Sequence, residues 1–213
     1  MKIISKIKKI ISKSLFSRLF NKIRSRVGIY GPPNAGKTTL ANRIIQDVTG
    51  EAIGEASEVP HETRHACRKE GVEIKSDDNK VLIDIVDTPG VTTKIDYKEF
   101  LEYGMEHDEA ITRAREATEG VAEAMHWLRE DIDGVIYVLD STQDPFIQVN
   151  IMMVGIIEAR KLPVIIVANK IDLPDASPQR IKSAFPQHPV VTISGLDGSN
   201  MEELYNKINE LFG

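Results

Sequence analysis

The chain has 213 residues, 41% of them hydrophobic, which suits one domain of ordinary size or one domain with an appendage. Its only cysteine, Cys67, excludes an internal disulfide and indicates a reducing, cytoplasmic compartment. No apolar run reaches the roughly 18 residues of a membrane-spanning helix, so a bilayer-spanning architecture is not expected. The net charge of -5 combines an N-terminal arm, residues 1–26, of charge +9 with an acidic remainder of charge -14. A polyanionic partner must therefore bind the arm or a local patch.

The N-terminal arm has the periodicity of a basic amphipathic helix. Its apolar residues recur at three- and four-residue steps: Ile3, Ile4, Ile7, Ile10, Ile11, Leu15, Leu19, Phe20 and Ile23. Three partners remain open for this helix, namely an anionic membrane surface, RNA, or an apolar groove of the chain's own domain. Few aromatic side chains are present to stack on bases, which favours the membrane. We therefore expect a cytoplasmic protein, with peripheral membrane association if the arm binds lipid.

Beyond the arm, short apolar strands alternate with helical segments. Strands are predicted near residues 25–30, 66–75, 80–87, 134–140, 163–169 and 190–193, and helices near residues 37–49, 98–130, 147–161, 178–184 and 200–212. This alternation predicts a three-layer α/β sandwich, in which helices cover both faces of a mixed, mostly parallel six-stranded sheet. The second and third strands should pair antiparallel, since the turn between them is too short for a crossover.

A phosphate-binding loop is predicted directly after the first strand. Residues 31–38 fit the pattern G-x-x-x-x-G-K-[ST], and a helix follows from about Thr39. The loop consists of Gly31, Pro32, Pro33, Asn34, Ala35, Gly36, Lys37 and Thr38. Backbone N–H groups and a helix N-terminus can there converge on one anion. The motif predicts binding of a nucleoside triphosphate without naming the base.

A magnesium-binding motif, Asp87-Thr88-Pro89-Gly90, follows the strand near 80–87. A carboxylate at the C-terminal end of a buried strand, beside the phosphate loop, supplies the hard oxygen that Mg²⁺ requires. Gly90 allows its backbone N–H to approach a γ-phosphate with no side chain in the way. The D-x-x-G pattern is common in unrelated turns, so it gains weight only from the other motifs.

Two further motifs predict that the base is guanine. In the stretch Asn169-Lys170-Ile171-Asp172, the Asp172 carboxylate can accept both N1–H and the 2-amino group of guanine, a donor pair that adenine lacks. Lys170 can lie along the base, and Asn169 can join this loop to the phosphate loop. In Ser194-Gly195-Leu196, a small residue allows a backbone N–H to reach the guanine carbonyl oxygen. Four motifs in this order, each after a strand, support one another.

With these motifs, residues 27–212 resemble the Era and TrmE-like family of translation-factor-class GTPases. The resemblance implies a P-loop GTPase fold and Mg²⁺-dependent hydrolysis of GTP to GDP that drives a molecular switch. It divides the chain into the arm, 1–26, and a GTPase domain, 27–213, after which no RNA-binding KH domain is expected. Ribosome assembly or other RNA-related work is also implied. The chain departs from the family pattern at Gly195, where alanine is usual, and at His65, where aspartate is usual.

The resemblance also implies a role for each motif residue. Lys37 contacts the β- and γ-phosphates, Gly90 senses the γ-phosphate, and Asp172 reads guanine. Mg²⁺ is held by Thr38, Asp87 and Thr63, the last in a switch I stretch at residues 60–65. The expected contacts of GTP or GDP are Gly31, Pro32, Pro33, Asn34, Ala35, Gly36, Lys37, Thr38, Thr39, Asp87, Gly90, Asn169, Lys170, Asp172, Ser194, Gly195 and Leu196.

Hydrolysis in this chain is expected to be slow. The position after Gly90, where Ras-like enzymes carry a water-orienting glutamine, is Val91, whose side chain forms no hydrogen bond. Asn34 corresponds to the residue that GTPases of this resemblance associate with a K⁺ ion. We therefore expect stimulation by K⁺ over Na⁺ or by a partner, with Lys37, Thr63, Gly90 and Asn34 as the catalytic set. The alternative is a recruiting module that binds GTP or GDP with negligible turnover.

Two remaining features have competing interpretations. His61, His65 and Cys67 have a spacing compatible with zinc, but a fourth ligand is missing, so a loop followed by a half-buried Cys67 in a strand is favoured. Residues 98–130 are predicted to form one long helix whose C-terminal half packs on the sheet. Residues 98–115, which are acidic, and the two switch regions are the expected surface for an unknown protein effector.

Overall fold

The structure is a computed structural model that describes residues 24–50, 63–76 and 79–213. Within these ranges one sheet is formed by β1 (Ser25–Tyr30), β2 (Cys67–Ser76), β3 (Asn79–Asp87), β4 (Gly134–Asp140), β5 (Val164–Asn169) and β6 (Val190–Thr192). The helices are α1 (Lys37–Thr49), α2 (Tyr97–Glu102), α3 (His107–Glu130), α4 (Gln148–Ala159), α5 (Pro178–Ala184) and α6 (Met201–Phe212). The helix predicted for the arm lies outside the described residues. None of the described helices is long and apolar enough to cross a membrane.

The sheet has the strand order β2-β3-β1-β4-β5-β6. The neighbours β2 and β3 pair antiparallel, and every other neighbouring pair is parallel. This arrangement confirms the predicted mixed, mostly parallel sheet. Every residue of β5 is buried, because helices cover both faces of the parallel part of the sheet. Parallel strands bring their C-terminal ends to one edge, so the loops that follow them lie side by side.

Two hydrophobic cores lie on opposite faces of the sheet and confirm the three-layer arrangement. One core joins α1 and α6 to the sheet, through residues that include Leu40 and Ile208. The other joins α3, α4 and α5 to the opposite face, through residues that include Leu128, Met153 and Ile181. Packing of α1 against the strands places its N-terminus, where the phosphate loop ends, at the edge of the sheet.

The prediction of one continuous helix over 98–130 is wrong. The segment forms two helices, α2 and α3, and the connection between them contains Gly104 with a φ of 82°. A right-handed helix cannot continue through this left-handed conformation. The two helices enclose a small third core: Phe100, Ala110 and Ala117. The interruption therefore turns α2 back onto α3 instead of extending it into solvent.

The prediction of a half-buried Cys67 is also wrong, because its side chain is exposed. Cys67 is the first residue of β2, which is the edge strand of the sheet. The buried residues of this strand, Val72 and Ile74, lie further along it, where α6 packs against β2.

Candidate nucleotide-binding site

The predicted motifs lie together at the edge of the sheet where its parallel strands end. The phosphate loop, residues 31–38, follows β1, and the Asp87–Gly90 loop follows β3. The stretches 169–172 and 194–196 lie at the ends of β5 and β6. Ligands of open α/β sheets bind in this position, outside the carboxyl ends of the strands. The four motifs therefore form one candidate site.

The phosphate loop has a conformation suited to holding an anion. Gly36 and Asn34 have left-handed backbones, with φ values of 90° and 57°. No side chain of the described residues caps the N-terminus of α1. Thr39, in the first turn of this helix, is half-buried. The first N–H groups of the helix thus keep their capacity to bind a phosphate. Gly31 permits a close approach of two strands' ends, since a Cβ there would lie 2.2 Å from the carbonyl oxygen of Val138.

Lys37, the first residue of α1, is buried beside the phosphate loop, with 6% of its surface exposed. Its Nζ donates a hydrogen bond of 2.8 Å to the carbonyl oxygen of Pro32. Burial lowers the pKa of Lys37 to about 8, an effect that the carboxylate of Asp87 opposes only in part. A bound phosphate would supply the negative charge that this buried ammonium lacks.

Three oxygen-bearing side chains from separate segments meet beside Lys37. The Thr38 hydroxyl donates to Oδ2 of Asp87 at 2.7 Å and lies 2.9 Å from the hydroxyl of Thr63. Among the described residues, no hydrogen-bond partner is present for the buried Oδ1 of Asp87. Burial raises the pKa of Asp87, against the opposing effects of Thr38 and Lys37. A buried carboxylate oxygen beside two hydroxyls is a donor set that suits Mg²⁺, so these residues fit the predicted ion.

The Asp87–Gly90 loop is fixed by contacts that sequence reasoning missed. The buried Thr88 hydroxyl donates to the carbonyl oxygen of Ile29 at 2.7 Å, which anchors the loop to β1. A Cβ on Gly90 would lie 3.0 Å from Cα of Pro33. The two loops thus approach each other so closely that a side chain at position 90 would require one of them to shift. The threonine in the D-T-P-G motif was visible in the sequence, but its distant acceptor was not.

Asn169 joins the base-binding loops to the phosphate loop, in agreement with the sequence-based expectation. Its Nδ2 donates to the carbonyl oxygen of Ala35, and its Oδ1 accepts the N–H of Gly195, both at 2.9 Å and both buried. Gly36 leaves room for this side chain, because a Cβ there would lie 2.3 Å from Nδ2 of Asn169. A Cβ on Gly195 would make ordinary contacts of 3.4–3.6 Å. The alanine that is usual at this position would therefore also fit.

Lys170 and Asp172 follow Asn169 at the edge of the site. Lys170, with a φ of 63°, forms an ion pair of 2.7 Å with Asp140 at the end of β4. Burial alone would raise the pKa of Asp140, but hydrogen bonds from Lys170 and Thr142 hold this pKa below its ordinary value. Asp172 is exposed and accessible to a ligand. Sequence reasoning missed Asp140, whose one signal was its place at the end of a parallel strand.

The end of the switch I stretch is attached to α3. Residues 60–62 of this stretch, among them His61, lie outside the described residues. Arg64 pairs with Glu116 at 3.2 Å, while Nδ1 of His65 and the N–H of Ala66 each contact the carboxylate of Glu123 at 2.9 Å. In the described ranges, no group of three or more His, Cys, Asp or Glu side chains is placed to hold a metal. No sequence pattern indicated these two glutamates, which lie more than 50 residues from their partners.

The same helix also touches the Asp87–Gly90 loop, which is the second switch region. At Gly120 of α3, a Cβ would lie 3.0 Å from the carbonyl oxygen of Arg64 and 3.1 Å from Cβ of Pro89. The two loops around the candidate Mg²⁺ position therefore both rest on α3, and a displacement of either loop would act on this helix.

The fold and site define a P-loop nucleotide-binding domain of the α/β class. A family model described as 50S ribosome-binding GTPase matches residues 26–170, and the chain belongs to this family. The expected likeness to Era-like GTPases is thereby confirmed. A search of curated proteins gives no match.

Two Era structures are similar to this chain. One is Era of Aquifex aeolicus, a variant bound to GDP and AlF4-, with 25% identity and a TM-score of 0.65 over 88% of this chain and 56% of that one. The other is Era with MgGDPNP and nucleotides 1506–1542 of 16S ribosomal RNA, with 24% identity and a TM-score of 0.66 over 89% and 57%. The chain thus spans little more than half the length of these Era chains.

Lys37→Met is expected to stabilise the nucleotide-free protein at pH 7. A pKa of about 8 in the folded state, against an ordinary value of 10.5, means that burying the protonated amine costs roughly 3 kcal/mol. This cost is fully present below pH 8 and disappears as the pH rises to 10.5, so the gain in the free energy of unfolding should shrink over that range. Urea denaturation at several pH values measures it, with the exposed Lys182→Met as the control. A loss of stability at pH 7 would contradict the prediction.

Proposed function

We propose that this chain binds GTP with Mg²⁺, hydrolyses it to GDP, and acts as a molecular switch between the two nucleotide states. The observation that carries the proposal is the meeting of Thr38, Asp87 and Thr63, which belong to the phosphate loop, the Asp87–Gly90 loop and switch I. Mg²⁺ held there would neutralise charge on the β- and γ-phosphates. Lys37 supplies a second positive charge beside it. Membership of a GTPase family supports this proposal.

Asp172 reads the base as guanine in this proposal. Its carboxylate is exposed at the edge of the site, whereas the neighbouring Lys170 is held by Asp140. An ionised carboxylate only accepts hydrogen bonds, so it pairs with the adjacent N1–H and 2-amino donors of guanine. Asn169 fixes the relative positions of the base and phosphate loops, so that one nucleotide can reach both.

Asp172→Asn should weaken GDP binding about a hundredfold, because an amide cannot accept from both donors and leaves one donor of the base unpaired. Xanthine carries an oxygen in place of the 2-amino group, so the variant should bind xanthosine diphosphate better than the unaltered protein does. Titration with each nucleotide measures the two affinities, and their ratio shows whether the preference has moved from GDP toward xanthosine diphosphate. Asp175→Asn, an exposed acid in the same loop, is the matched control. Unchanged preference in Asp172→Asn would refute guanine reading by this residue.

Hydrolysis is proposed to depend on Asn34 and not on the residue after Gly90. Val91 donates its N–H to the carbonyl oxygen of Gly31 at 3.1 Å, and its side chain is buried in the α3-side core. It therefore has neither the chemistry nor the exposure to orient water. Asn34 is exposed at the rim of the phosphate loop, and its amide oxygen is of the carbonyl type that replaces water around K⁺. A monovalent cation there would add positive charge beside the phosphates.

Replacing Na⁺ by K⁺ should accelerate single-turnover GTP hydrolysis about tenfold, and Asn34→Gly should abolish this difference. Glycine is chosen because it keeps the left-handed φ of 57°, which alanine would strain. GDP affinity serves as the control and should change little. Equal rates in the two salts would count against the K⁺ site. Negligible turnover in both, with retained GTP binding, would favour the alternative of a recruiting module.

The switch is proposed to operate through Thr63 and Gly90. Contact of both residues with a γ-phosphate would order their loops, and hydrolysis would release them. The contacts of Glu116 and Glu123 with the end of switch I give α3 a means of responding. Both switch regions and residues 98–115 then form a surface whose shape depends on the nucleotide, which is where we place an unidentified protein effector.

Ribosome- or RNA-related work is the cellular role that the family membership supports. The Era structure with 16S ribosomal RNA is consistent with it. For the arm, residues 1–26, we propose an anionic membrane surface as the partner, on the basis of its aliphatic periodicity and of the charge of +7 on residues 1–23. The other two basic residues of the arm, Arg24 and Arg26, pair with carboxylates of the domain. RNA and the chain's own domain are the competing partners.

The full chain should float with anionic vesicles and not with neutral ones, and removal of residues 1–23 should abolish flotation. The cut is made before residue 24 because β1 begins at Ser25 and Arg26 forms hydrogen bonds with Asp133. Retention on RNA is measured in parallel at low and high salt, since binding to RNA phosphates weakens steeply with salt. Arm-dependent binding to RNA without flotation would replace the membrane proposal. Absence of both would favour docking on the domain.

A further inference from the structure

We infer that Arg43 of α1 is a positioning residue for guanine recognition, which fixes the Gly195–Leu196 peptide so that the Leu196 N–H points at the base. The inference rests on the proposed binding of guanine nucleotides. It concerns a residue outside the four motifs, on the helix that follows the phosphate loop.

In the loop after β6, one backbone donor forms no hydrogen bond with the residues that the structure describes. The N–H of Ser194 donates to the carbonyl oxygen of Ser199, and the N–H of Gly195 donates to Oδ1 of Asn169. The N–H groups of Asp197 and Gly198 donate to Oγ and to the carbonyl oxygen of Ser194. The N–H of Ser199 donates to Oδ1 of Asp197. Of residues 194–199, all within the described chain, Leu196 is the remaining one. This residue is 72% exposed. The Leu196 N–H is therefore the donor of this loop that a guanine carbonyl oxygen can take.

Arg43 donates hydrogen bonds to the carbonyl oxygens on both sides of this N–H. Its Nε donates to the carbonyl oxygen of Gly195 at 3.4 Å, and its Nη2 donates to that of Leu196 at 2.5 Å. The Gly195 carbonyl and the Leu196 N–H belong to one trans peptide unit, in which the two groups point in opposite directions. A carbonyl held by Arg43 therefore aims the N–H away from α1. The fork of a guanidinium is suited to holding two acceptors in this way.

The need for such a clamp is increased by Gly195. Glycine has the freest backbone of all residues, and the Gly195 backbone conformation sets the orientation of the following peptide. A side chain would fit here, since the nearest contacts of a Cβ would be 3.4–3.6 Å. Arg43 thus restrains a peptide that alanine would restrain by its own sterics.

Arg43 is itself held in place from the opposite side. Asp47, one turn along α1, lies 3.9 Å from Nη1 of Arg43 and accepts a hydrogen bond of 2.6 Å from the hydroxyl of Tyr205 on α6. A chain of contacts therefore runs from α6 through α1 to the base loop. It gives the guanidinium a fixed position even though its side chain is 28% exposed.

Arg43→Ala should selectively weaken recognition of the guanine carbonyl oxygen. The probes are GDP, 6-thio-GDP, in which sulfur is a weak acceptor at that position, and inosine diphosphate, which keeps the oxygen but lacks the 2-amino group. GDP affinity should fall about tenfold, the loss expected for one hydrogen bond whose geometry is no longer held. The preference for GDP over 6-thio-GDP should fall by a similar factor, while the preference for GDP over inosine diphosphate should remain.

Three further variants make the test decisive. Arg43→Lys, which reaches one carbonyl at most, should be intermediate, and it carries the test if Arg43→Ala does not fold. Adding Gly195→Ala to Arg43→Ala should restore part of the lost preference. Arg115→Ala, an exposed arginine of α3, is the control and should bind as the unaltered protein does.

The outcomes distinguish failure of this inference from failure of the proposed function. If Arg43→Ala weakens all three nucleotides by the same factor, Arg43 has a structural role only and the inference is overturned. Unchanged affinities would overturn it as well. If the unaltered protein does not bind GDP, the proposed function itself fails, and this inference fails with it.

Discussion

The side chain of Asn169 is the interaction on which the rest of the site depends. It bonds the phosphate loop at Ala35 and the base loop at Gly195, and both bonds are buried. Without this amide, a buried carbonyl oxygen and a buried N–H would lose their partners, each at a cost of about 1–3 kcal/mol. The absence of a side chain at Gly36 is what makes the contact possible. The distance between the phosphate loop and the loop after β6 is thereby set by the protein itself.

The phosphate side of the site is built at the expense of stability. Lys37 and Asp87 are both buried. Burial lowers the pKa of Lys37 and raises the pKa of Asp87, and each shift favours the neutral form of the side chain. Their mutual attraction offsets this only in part. A triphosphate with Mg²⁺ would satisfy both charges at once, so nucleotide binding and folding stability are linked in this domain. Lys37 and Asp87, which burial destabilises, are also residues that we propose bind the nucleotide and Mg²⁺.

The switch regions are tied to the rest of the fold through α3. Arg64, His65 and Ala66 lie against Glu116 and Glu123 on this helix, and Gly120 lets the two loops approach it closely. The break at Gly104 folds α2 onto the N-terminal part of the same helix, around a core of its own. In the proposed switch, a change at the γ-phosphate position would therefore act on residues 98–115 through α3. Packed elements of this kind move as units because their interiors are densely filled.

The sequence by itself determined the class of fold and the order in which the motifs follow the strands, because these depend on local patterns and on the rule that parallel strands end at one edge. The same patterns predicted which residues bind phosphate, Mg²⁺ and guanine, and those assignments stay predictions. The sequence also indicated Asn169 as the link between loops. The tertiary structure alone decided the acceptor of Thr88, the ion pair of Lys170 with Asp140, and the grip of Arg43 on the base loop. Each of these joins residues at least 30 positions apart, and no local pattern encodes a partner at that distance. The left-handed turn at Gly104 was hidden for a different reason: a glycine is compatible with either a continuous or a broken helix, and the packing of α2 on α3 selects between them.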